Sequence, residues 1–279
     1  MVRRGPRGAR ALVALPAALV VLLGCSAQGG TDDGAEDGGA GDDAAAGREV
    51  ALPPADARWD IQLGGPRDVP EDVSIVERDR TAEPTGGYDI CYVNGFQGQP
   101  DEEERWADSE LILRDDSGEP VIDEVWQEYI FDITTPENRE ALVDELGPEI
   151  EGCADDGFDA VELDNLDSFS RSGGRIAEAD ADAYAELLVD AAHEAGLAAG
   201  QKNRAGWDGT SVGYDFAVVE ECGAFSECDA YVEAFGDHVL IVEYTEEGFE
   251  AACDSLGGQV PIVFRDVELA PDGEREWCD

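Results

Sequence analysis

The sequence predicts an α/β protein, a single (β/α)8 TIM-type barrel with disulfides, preceded by a signal peptide and a disordered tether. Three observations support this fold class. Eight short apolar segments recur along the chain, helical patterns separate several of them, and the series occupies about 220 residues. Strands that alternate with helices indicate a parallel sheet, and eight such units are the number that closes into a barrel.

The first 25 residues have the pattern of an export signal. Four arginines among the first ten residues precede the apolar run from Ala11 to Gly24, which ends at Cys25. The run is shorter than the roughly 20 residues that a membrane-spanning helix needs. Leucines and a small residue before the cysteine are typical of a bacterial lipoprotein, in which Cys25 is lipidated and becomes the first residue. The alternative is cleavage without lipidation, which leaves Cys25 as an odd thiol.

Residues 26–50 are expected to form a disordered tether. They are mostly Gly, Ala and Asp, with no aromatic residue, so they cannot bury enough apolar surface to offset the entropy of ordering. The barrel domain is therefore assigned to residues 51–279. We expect it at the cell surface of a bacterium or outside the cell, bound to the membrane only through the lipid.

The chain is extremely acidic, with a formal net charge of −48. Such a surface repels nucleic acid and anionic membranes and attracts polycations. Adaptation to salt, or simple solubility, explains the same charge equally well. We expect a monomer that binds no nucleic acid.

Six cysteines remain after Cys25, and an even number outside the cytoplasm indicates three disulfides. Sequence alone allows fifteen pairings of six cysteines. Because the chain has no close CxxC pair and only two histidines, we predict no zinc or iron site and no cofactor. The favoured pairs are Cys91 with Cys153, Cys222 with Cys228, and Cys253 with Cys278.

Short apolar runs mark the strands. The segment 100–125 interrupts the alternation, and although its LILRD piece could be a further strand, we interpret the whole segment as an elaborated loop. The eight predicted strands are WDIQL (59–63), DICYV (89–93), EYIFDI (128–133), DAVELD (159–164), AAGQKN (198–203), FAVVEE (216–221), VLIVEY (239–244) and PIVFRD (261–266).

Two helices between these strands are clearly marked. The first follows a cap at Thr134 or Thr135, has proline at an early position, and repeats apolar residues on one face. The second is predicted to begin at Asp180 and to stop at Gly196. Three tryptophans, Trp106, Trp126 and Trp277, are expected to be packing residues.

Polar side chains stand where the predicted strands end, and this is the face at which barrels of this type place their chemistry. Asp164 ends strand four and Glu220 ends strand six. Lys202, at the end of strand five, is the only lysine of the chain, which suggests that its compact ammonium is required there. The other predicted substrate-binding residues are Gln62, Tyr92, Glu128, Asp132, Asn165, Asp167, Asn203, Glu243 and Tyr244.

This combination of carboxylates and aromatic residues favours a sugar substrate. Glycoside hydrolysis needs one carboxyl group to protonate the leaving oxygen and another to attack or to activate water. A separation of about 5.5 Å corresponds to a retaining mechanism, and wider gaps to an inverting one. We predict that Asp164 and Glu220 form this pair and that the mechanism is retaining.

Four motifs in matching order, FDAVELDNLDSF, QKN, FAVVEEC and IVEYT, resemble glycoside hydrolase family 114, whose members resemble endo-α-1,4-polygalactosaminidases. The resemblance covers residues 59–278. It implies a TIM-type barrel, a secreted or surface location, and cleavage of α-1,4-linked galactosamine-rich polysaccharide.

The DNLD motif places the strand-four carboxylate of the resembled family on Asp164, and the EEC motif places its partner on Glu220. By analogy with other barrels, Asp164 is assigned as nucleophile and Glu220 as acid/base. Lys202, Asn203 and Glu243 match positions that would line the donor subsite. The sequence departs from the family at Leu163, where proline is common, and in the segment CYVNGFQGQP, so the substrate subsites are expected to differ.

Three other functions are compatible with the sequence. The first is a carbohydrate-binding lipoprotein that no longer cleaves, and the second is a disulfide-bonded surface scaffold. The third is an enzyme that acts on another linkage, such as an α-galactosidase or a cell-wall amidase.

Overall fold

The computed structural model describes residues 50–99 and 102–278. The predicted signal peptide, the predicted lipidation site Cys25 and residues 26–49 of the predicted tether lie outside these ranges. Within them, no helix is both long enough and apolar enough to cross a membrane.

The structure confirms the predicted α/β barrel. Nine strands form one sheet in the order β1-β2-β3-β7-β8-β9-β10-β11-β12, and all neighbours are parallel except β11 and β12. The strands are β1 (Arg58–Ile61), β2 (Val73–Asp79), β3 (Tyr88–Val93), β4 (Gln97–Gly98), β5 (Ile122–Asp123), β6 (Glu128–Ile130), β7 (Ala160–Leu163), β8 (Ala198–Lys202), β9 (Phe216–Glu220), β10 (Val239–Glu243), β11 (Ile262–Arg265) and β12 (Arg275–Trp277).

Helices follow most of the later strands. The α-helices are α1 (Glu103–Trp106), α2 (Pro136–Asp156), α3 (Glu178–Ala195), α4 (Cys222–Phe225), α5 (Cys228–Phe235) and α6 (Glu246–Leu256). The long helices α2 and α3 bury one apolar face each, which in α2 includes Leu142 and Leu146. Thr135 is the cap of α2, since its hydroxyl accepts from the Asn138 amide at 3.1 Å.

Helix α3 begins at Glu178, two residues before the predicted start at Asp180. Asp180 lies in the first turn instead, and its carboxylate accepts from the amide of Ala177 at 3.2 Å. The predicted stop at Gly196 is confirmed, because this residue has φ 86°, which glycine adopts without strain.

The first and last parallel strands are joined by side chains. Asp60 of β1 and Arg265 of β11 are both fully buried and form an ion pair at 2.9 Å. Arg275 of β12 binds the second oxygen of Asp60 at 2.5 Å. The indole of Trp277 donates to the carbonyl oxygen of Trp59 at 2.8 Å. These contacts bring the sheet to near closure.

One predicted barrel strand was wrong and one real strand was missed. The EYIFDI segment contributes β6, which pairs antiparallel with β4 and β5 in a separate three-stranded sheet. The true second strand of the barrel is β2, whose sequence VSIVERD contains Glu77 and Arg78, both buried. The two errors compensate, so Asp164 and Glu220 still lie at the ends of the fourth and sixth parallel strands.

The barrel interior is apolar toward the amino ends of the parallel strands, here called its lower end. Ile75, Ile90, Phe216 and Leu240 belong to the cluster that fills it. A Cβ at Gly200 would lie 2.6 Å from Cζ of Phe216, so glycine is required on β8 for this ring to fit. The apolar layer leaves the inward positions near the upper strand ends to polar side chains.

The three disulfides join the pairs that the sequence favoured: Cys91–Cys153, Cys222–Cys228 and Cys253–Cys278. The first ties β3 to α2, the second ties α4 to α5 immediately after β9, and the third ties α6 to the end of the described chain. Such bonds fit a protein that functions outside the cytoplasm.

Candidate functional site

A cavity of about 400 Å³ opens at the carboxyl ends of the parallel strands. Nine of the twelve residues predicted to be catalytic or to bind substrate line it: Tyr92, Glu128, Asp164, Asn165, Asp167, Lys202, Asn203, Glu220 and Tyr244. The other lining residues are Leu63, Gly64, Trp126, Arg171, Glu221, Val267, Glu268 and Leu269.

Asp164 follows the last residue of β7 and has both carboxylate oxygens occupied. The hydroxyl of Tyr92 donates to Oδ2 at 2.8 Å, and the backbone amide of Asn165 donates to Oδ1 at 2.6 Å. Burial, followed by the charge of Asp164, raises the pKa of Tyr92 well above its usual range. The phenol therefore remains a hydrogen-bond donor, and the carboxylate is held in one orientation.

Glu220 is the last residue of β9, and two neighbouring strands hold it. Tyr244 donates its hydroxyl proton to Oε1 at 2.5 Å, and the amide of Asn203 donates to Oε2 at 3.1 Å. The same Asn203 side chain accepts from the backbone amide of Glu220 at 2.8 Å. Burial, followed by the charge of Glu220, raises the pKa of Tyr244 well above its usual range, so this phenol also stays a donor.

Lys202 lies between the two carboxylates. Its Nζ is 3.3 Å from Oδ1 of Asp164 and 3.6 Å from Oε2 of Glu220, and its side chain is only 4% exposed. Burial by itself lowers the pKa of Lys202, but the surrounding carboxylates outweigh it and hold that pKa well above its usual range. Because both oxygens contact one ammonium, they are at most about 7 Å apart.

The backbone turns sharply directly after each of these three side chains. Asn165, Asn203 and Glu221 all have left-handed conformations, with φ of 63°, 49° and 57°. Asparagine is enriched in this conformation, but glutamate is not, so the site contains local backbone strain at Glu221. These turns direct the preceding side chains toward the cavity.

Glu128 contributes a third carboxyl group to the cavity. Its Oε2 accepts from Asn94 at 2.9 Å and from Asn165 at 3.2 Å. Burial raises the pKa of Glu128 to about 7; the hydrogen bond from Asn94 opposes this, and the charge of Asp164 adds to it. Arg171 donates to Oδ1 of Asn165 at 2.8 Å and thereby orients that amide.

This raised pKa predicts a pH-dependent effect of Glu128→Gln on stability. The pKa of Glu128 is higher in the folded than in the unfolded protein, so the wild type loses stability as the pH rises from about 4.5 to 7. The glutamine variant is neutral at every pH. We expect equal stability at pH 4 and a variant about 1–2 kcal/mol more stable at pH 8, measured by urea unfolding.

The control for this experiment is Glu124→Gln, which changes an exposed carboxyl in the turn that precedes β6. It should leave stability unchanged at both pH values. A Glu128→Gln variant that is less stable than the wild type at pH 8 would show that the carboxylate is held in place by its amide partners without a burial penalty.

Two predicted substrate-binding residues lie outside the cavity because they serve the fold. Gln62 is buried, where it donates to Asp60 at 2.8 Å and accepts from Arg78 at 3.0 Å. Asp132 accepts from the amide and hydroxyl of Thr134, a local turn that leads into α2. The lining of the cavity includes neither residue.

Glu243 also lies outside the cavity, because successive residues of a strand point to opposite faces of the sheet. Val242 belongs to the barrel interior, so Glu243 points outward. There its Oε1 accepts from the Gly223 amide at 2.6 Å. A Cβ at Gly248 would lie 2.3 Å from its other oxygen, so glycine is required on α6 beside this carboxylate.

Sequence reasoning missed residues of two kinds. Trp126 was expected to pack, but it is 59% exposed and lines the cavity, whereas Trp106 is buried as expected. The available signal for Trp126 was its position just after β5, in the segment that interrupts the strand–helix alternation. Glu162 contacts Lys202 at 3.0 Å from below, and the strand motif that contains it carried no sign of that contact.

The family model described as "Glycoside-hydrolase family GH114" matches residues 40–279. The chain is similar in structure to Ega3 of Aspergillus fumigatus, solved in complex with galactosamine, with 24% identity, coverage of 82% of this chain and 97% of that one, and a TM-score of 0.66. It is also similar to the glycoside hydrolase domain of PelA from Pseudomonas aeruginosa, with 14% identity, coverage of 78% and 97%, and a TM-score of 0.51.

No protein with a curated description matches the chain. The two structural similarities confirm the barrel fold, and the family match extends over every strand of that barrel. The resemblance suggested by the four motifs is therefore confirmed: the chain is a glycoside hydrolase and belongs to glycoside-hydrolase family GH114.

Proposed function

We propose that this protein cleaves α-1,4-linked galactosamine-rich polysaccharide within the chain, with Asp164 as nucleophile and Glu220 as acid/base. The observation that carries the proposal is the placement of two carboxylates on one buried ammonium, at the mouth of a cavity large enough for sugar rings. The galactosamine bound by the structurally similar Ega3, a protein of the same fold, supports this substrate class.

In the first step, the protonated carboxyl of Glu220 donates its proton to the glycosidic oxygen as the bond to the anomeric carbon breaks. Asp164 attacks that carbon and forms a glycosyl ester. In the second step, ionised Glu220 takes a proton from water, the water oxygen attacks the same carbon, and Asp164 leaves as a carboxylate. The upper limit of about 7 Å between the nearest oxygens of Asp164 and Glu220 is compatible with this retaining route.

The charge of the protein supports a cationic substrate. From residue 51 onward the sequence has 59 acidic and 13 basic residues. A deacetylated galactosamine polymer is positively charged and would be attracted to such a surface at low ionic strength. Glu128 and Asp167 place further carboxyl groups in the cavity itself, where they can bind a substrate ammonium.

The decisive experiment is incubation of the purified protein with partially deacetylated galactosamine polymer, with mass spectrometry of the products. We expect a series of galactosamine-containing oligosaccharides of several lengths, as cleavage within a chain produces. Galactan and peptidoglycan are the controls. Release of products from galactan or peptidoglycan alone would replace the proposed substrate, and release of monomer alone would exclude cleavage within the chain.

We further propose that Trp126 stacks on a sugar ring at the edge of the cavity. We expect Trp126→Ala to raise KM for long oligosaccharides about fivefold with kcat nearly unchanged, because a lost stacking contact weakens binding by about 1 kcal/mol. The shortest cleavable substrates should be unaffected. Val125→Ala, a change at the exposed neighbour, is the control, and equal effects of both variants would contradict a stacking role.

We propose that the barrel acts outside the cell, attached through a lipid on Cys25 and the tether of residues 26–50. The three disulfides support the compartment. Fractionation of cells that express Cys25→Ser tests the anchor, since the variant should no longer sediment with membranes. Continued membrane association would argue against lipidation.

A further inference from the structure

Two fully buried glutamates lie beneath the site and take no part in the steps described above. Glu77 is on β2 and Glu162 is on β7, and neither side chain is exposed to solvent. The two carboxyl groups are within hydrogen-bond contact of each other. Oε1 of Glu162 accepts from Lys202 at 3.0 Å, the shortest of the contacts that Lys202 makes with carboxylates.

The remaining oxygens of the two glutamates are unusual. Among the described residues, neither oxygen of Glu77 nor Oε2 of Glu162 has a hydrogen-bond donor. Two ionised carboxylates in contact, with their oxygens buried and unpaired, would be strongly unfavourable. A proton shared between Glu77 and Glu162 removes the charge repulsion and pairs two of the three oxygens, because it converts one unpaired acceptor into a donor.

The charges around this pair come from several strands. Three carboxyl groups contact the single ammonium of Lys202, and Glu77 lies beside one of them, so one positive charge cannot neutralise four negative ones. Arg265 of β11 is already bound to Asp60 of β1. The groups that face the Glu77–Glu162 pair and the Lys202 ammonium are Tyr92 from β3, Asp164 after β7, Glu220 from β9 and Tyr244 after β10.

We propose that Glu77 and Glu162 form a one-proton acid pair in which protonated Glu77 donates to Glu162, and ionised Glu162 holds the Lys202 ammonium between Asp164 and Glu220. The proton resides on Glu77 because only Glu162 contacts a cation. Burial raises the pKa of both carboxyls. The Lys202 ammonium opposes this for both, and for Glu162 it is the largest cause after burial. Both are positioning residues, and their effect on turnover rests on the proposed function.

Glu77→Gln and Glu162→Gln should differ, although the two substitutions are chemically identical. The amide that Glu77→Gln introduces can donate to Glu162 as the acid proton does, so we expect kcat/KM within about twofold of the wild type and an unchanged pH profile. Glu162→Gln removes the negative charge that Glu162 places beside Lys202. Its uncompensated ammonium then favours the ionised form of the acid/base group, and the basic limb of the profile should move down by about one pH unit.

Infrared spectroscopy tests the proton without any requirement for activity. At pH 8.5, where Glu128 is ionised, the wild type should show the C=O stretch of a buried carboxylic acid, and Glu77→Gln should lack it. If the wild type has no such band, or if Glu77→Gln retains it, the acid pair is refuted even if the protein cleaves no polysaccharide. If the band behaves as expected but both variants give the wild-type pH profile, the positioning role is refuted.

Glu162→Gln could fail to fold, since it leaves Lys202 with an amide neighbour. The proposal remains testable through Glu77→Gln, which preserves shape and hydrogen bonding. Loss of more than about tenfold in kcat/KM in a folded Glu77→Gln variant would overturn it, because that result would require a charge on Glu77.

Discussion

Asp164→Asn and Glu220→Gln are expected to lower kcat/KM by about 1,000-fold or more while leaving polysaccharide binding within a few-fold of the wild type. Each amide occupies the space of the carboxyl that it replaces but can neither attack carbon nor transfer a proton. Reducing-end release measures turnover, and calorimetry with the intact polymer measures binding. Asp190→Asn and Glu250→Gln, both exposed on outer helices, are the matched controls and should be silent.

Azide separates the roles of the two residues. In Asp164→Ala, azide can enter from the vacated side and give a glycosyl azide of inverted configuration. In Glu220→Ala, azide instead attacks the glycosyl ester on Asp164, and the product retains the configuration of the substrate. The experiment needs a substrate with an activated leaving group. Exchanged outcomes would reverse the assignment, and full activity of either amide variant would show that the substituted carboxyl is not catalytic. Binding of the polymer without turnover by the wild type would support the alternative of a binding protein.

Lys202→Met is expected to have the largest effect on stability. Lys202 is the only cation in contact with Glu162, Asp164 and Glu220 among the described residues, and removing one partner of a buried ion pair costs about 3–5 kcal/mol because the other charges remain unpaired. Urea unfolding at pH 8 measures this loss. Activity should fall as well, since nothing then holds the two carboxylates at a common point.

The loss in Lys202→Met should be smaller at low pH. Without the ammonium, the buried carboxyls have higher pKa values in the folded than in the unfolded state, so the variant becomes less stable as the pH rises above about 4.5. Lowering the pH from 8 to 5 should therefore restore part of the difference. Lys202→Arg should not restore it fully, because the bulkier guanidinium has to fit a fully buried site.

The exposed ion pair between Arg58 and Asp72 provides the control for Lys202→Met. Both side chains are substantially solvated, so Arg58→Met should change stability by less than about 1 kcal/mol at either pH. If Lys202→Met were as mild as this control, the three carboxylates around Lys202 would have to be protonated in the native protein at neutral pH.

Most barrel strands could be predicted because they are continuous apolar runs that end in polar residues, as in VLIV before Glu243. Strand β2 could not, because its inward Glu77 is stabilised by a partner from another strand, and no local pattern records that partner. The opposite error occurred at EYIFDI, where an apolar segment of suitable length packs outside the barrel.

The residue types at the strand ends could be predicted from sequence, but the direction in which their side chains point could be predicted only in part. Tyr244 and Glu243 are adjacent, and both were predicted to contact substrate. The register of β10 points Tyr244 into the cavity and Glu243 onto α4. Trp126 shows the same limit, because its exposure depends on a small sheet formed by residues distant in sequence.

The sequence by itself determined the barrel class, the cap region of α2, the stop of α3 at Gly196 and the two acids at the ends of the fourth and sixth strands, because each of these depends on local composition and periodicity. It favoured three disulfide pairs among fifteen, and the structure has those three. Only the tertiary structure decided that a single ammonium joins those acids, that Glu243 and Gln62 support the fold, and that Glu77 lies beneath the site. The physical reason is that hydrogen bonds and charge pairs among β2, β7, β8 and β9 act between residues as far apart in sequence as Glu77 and Glu220.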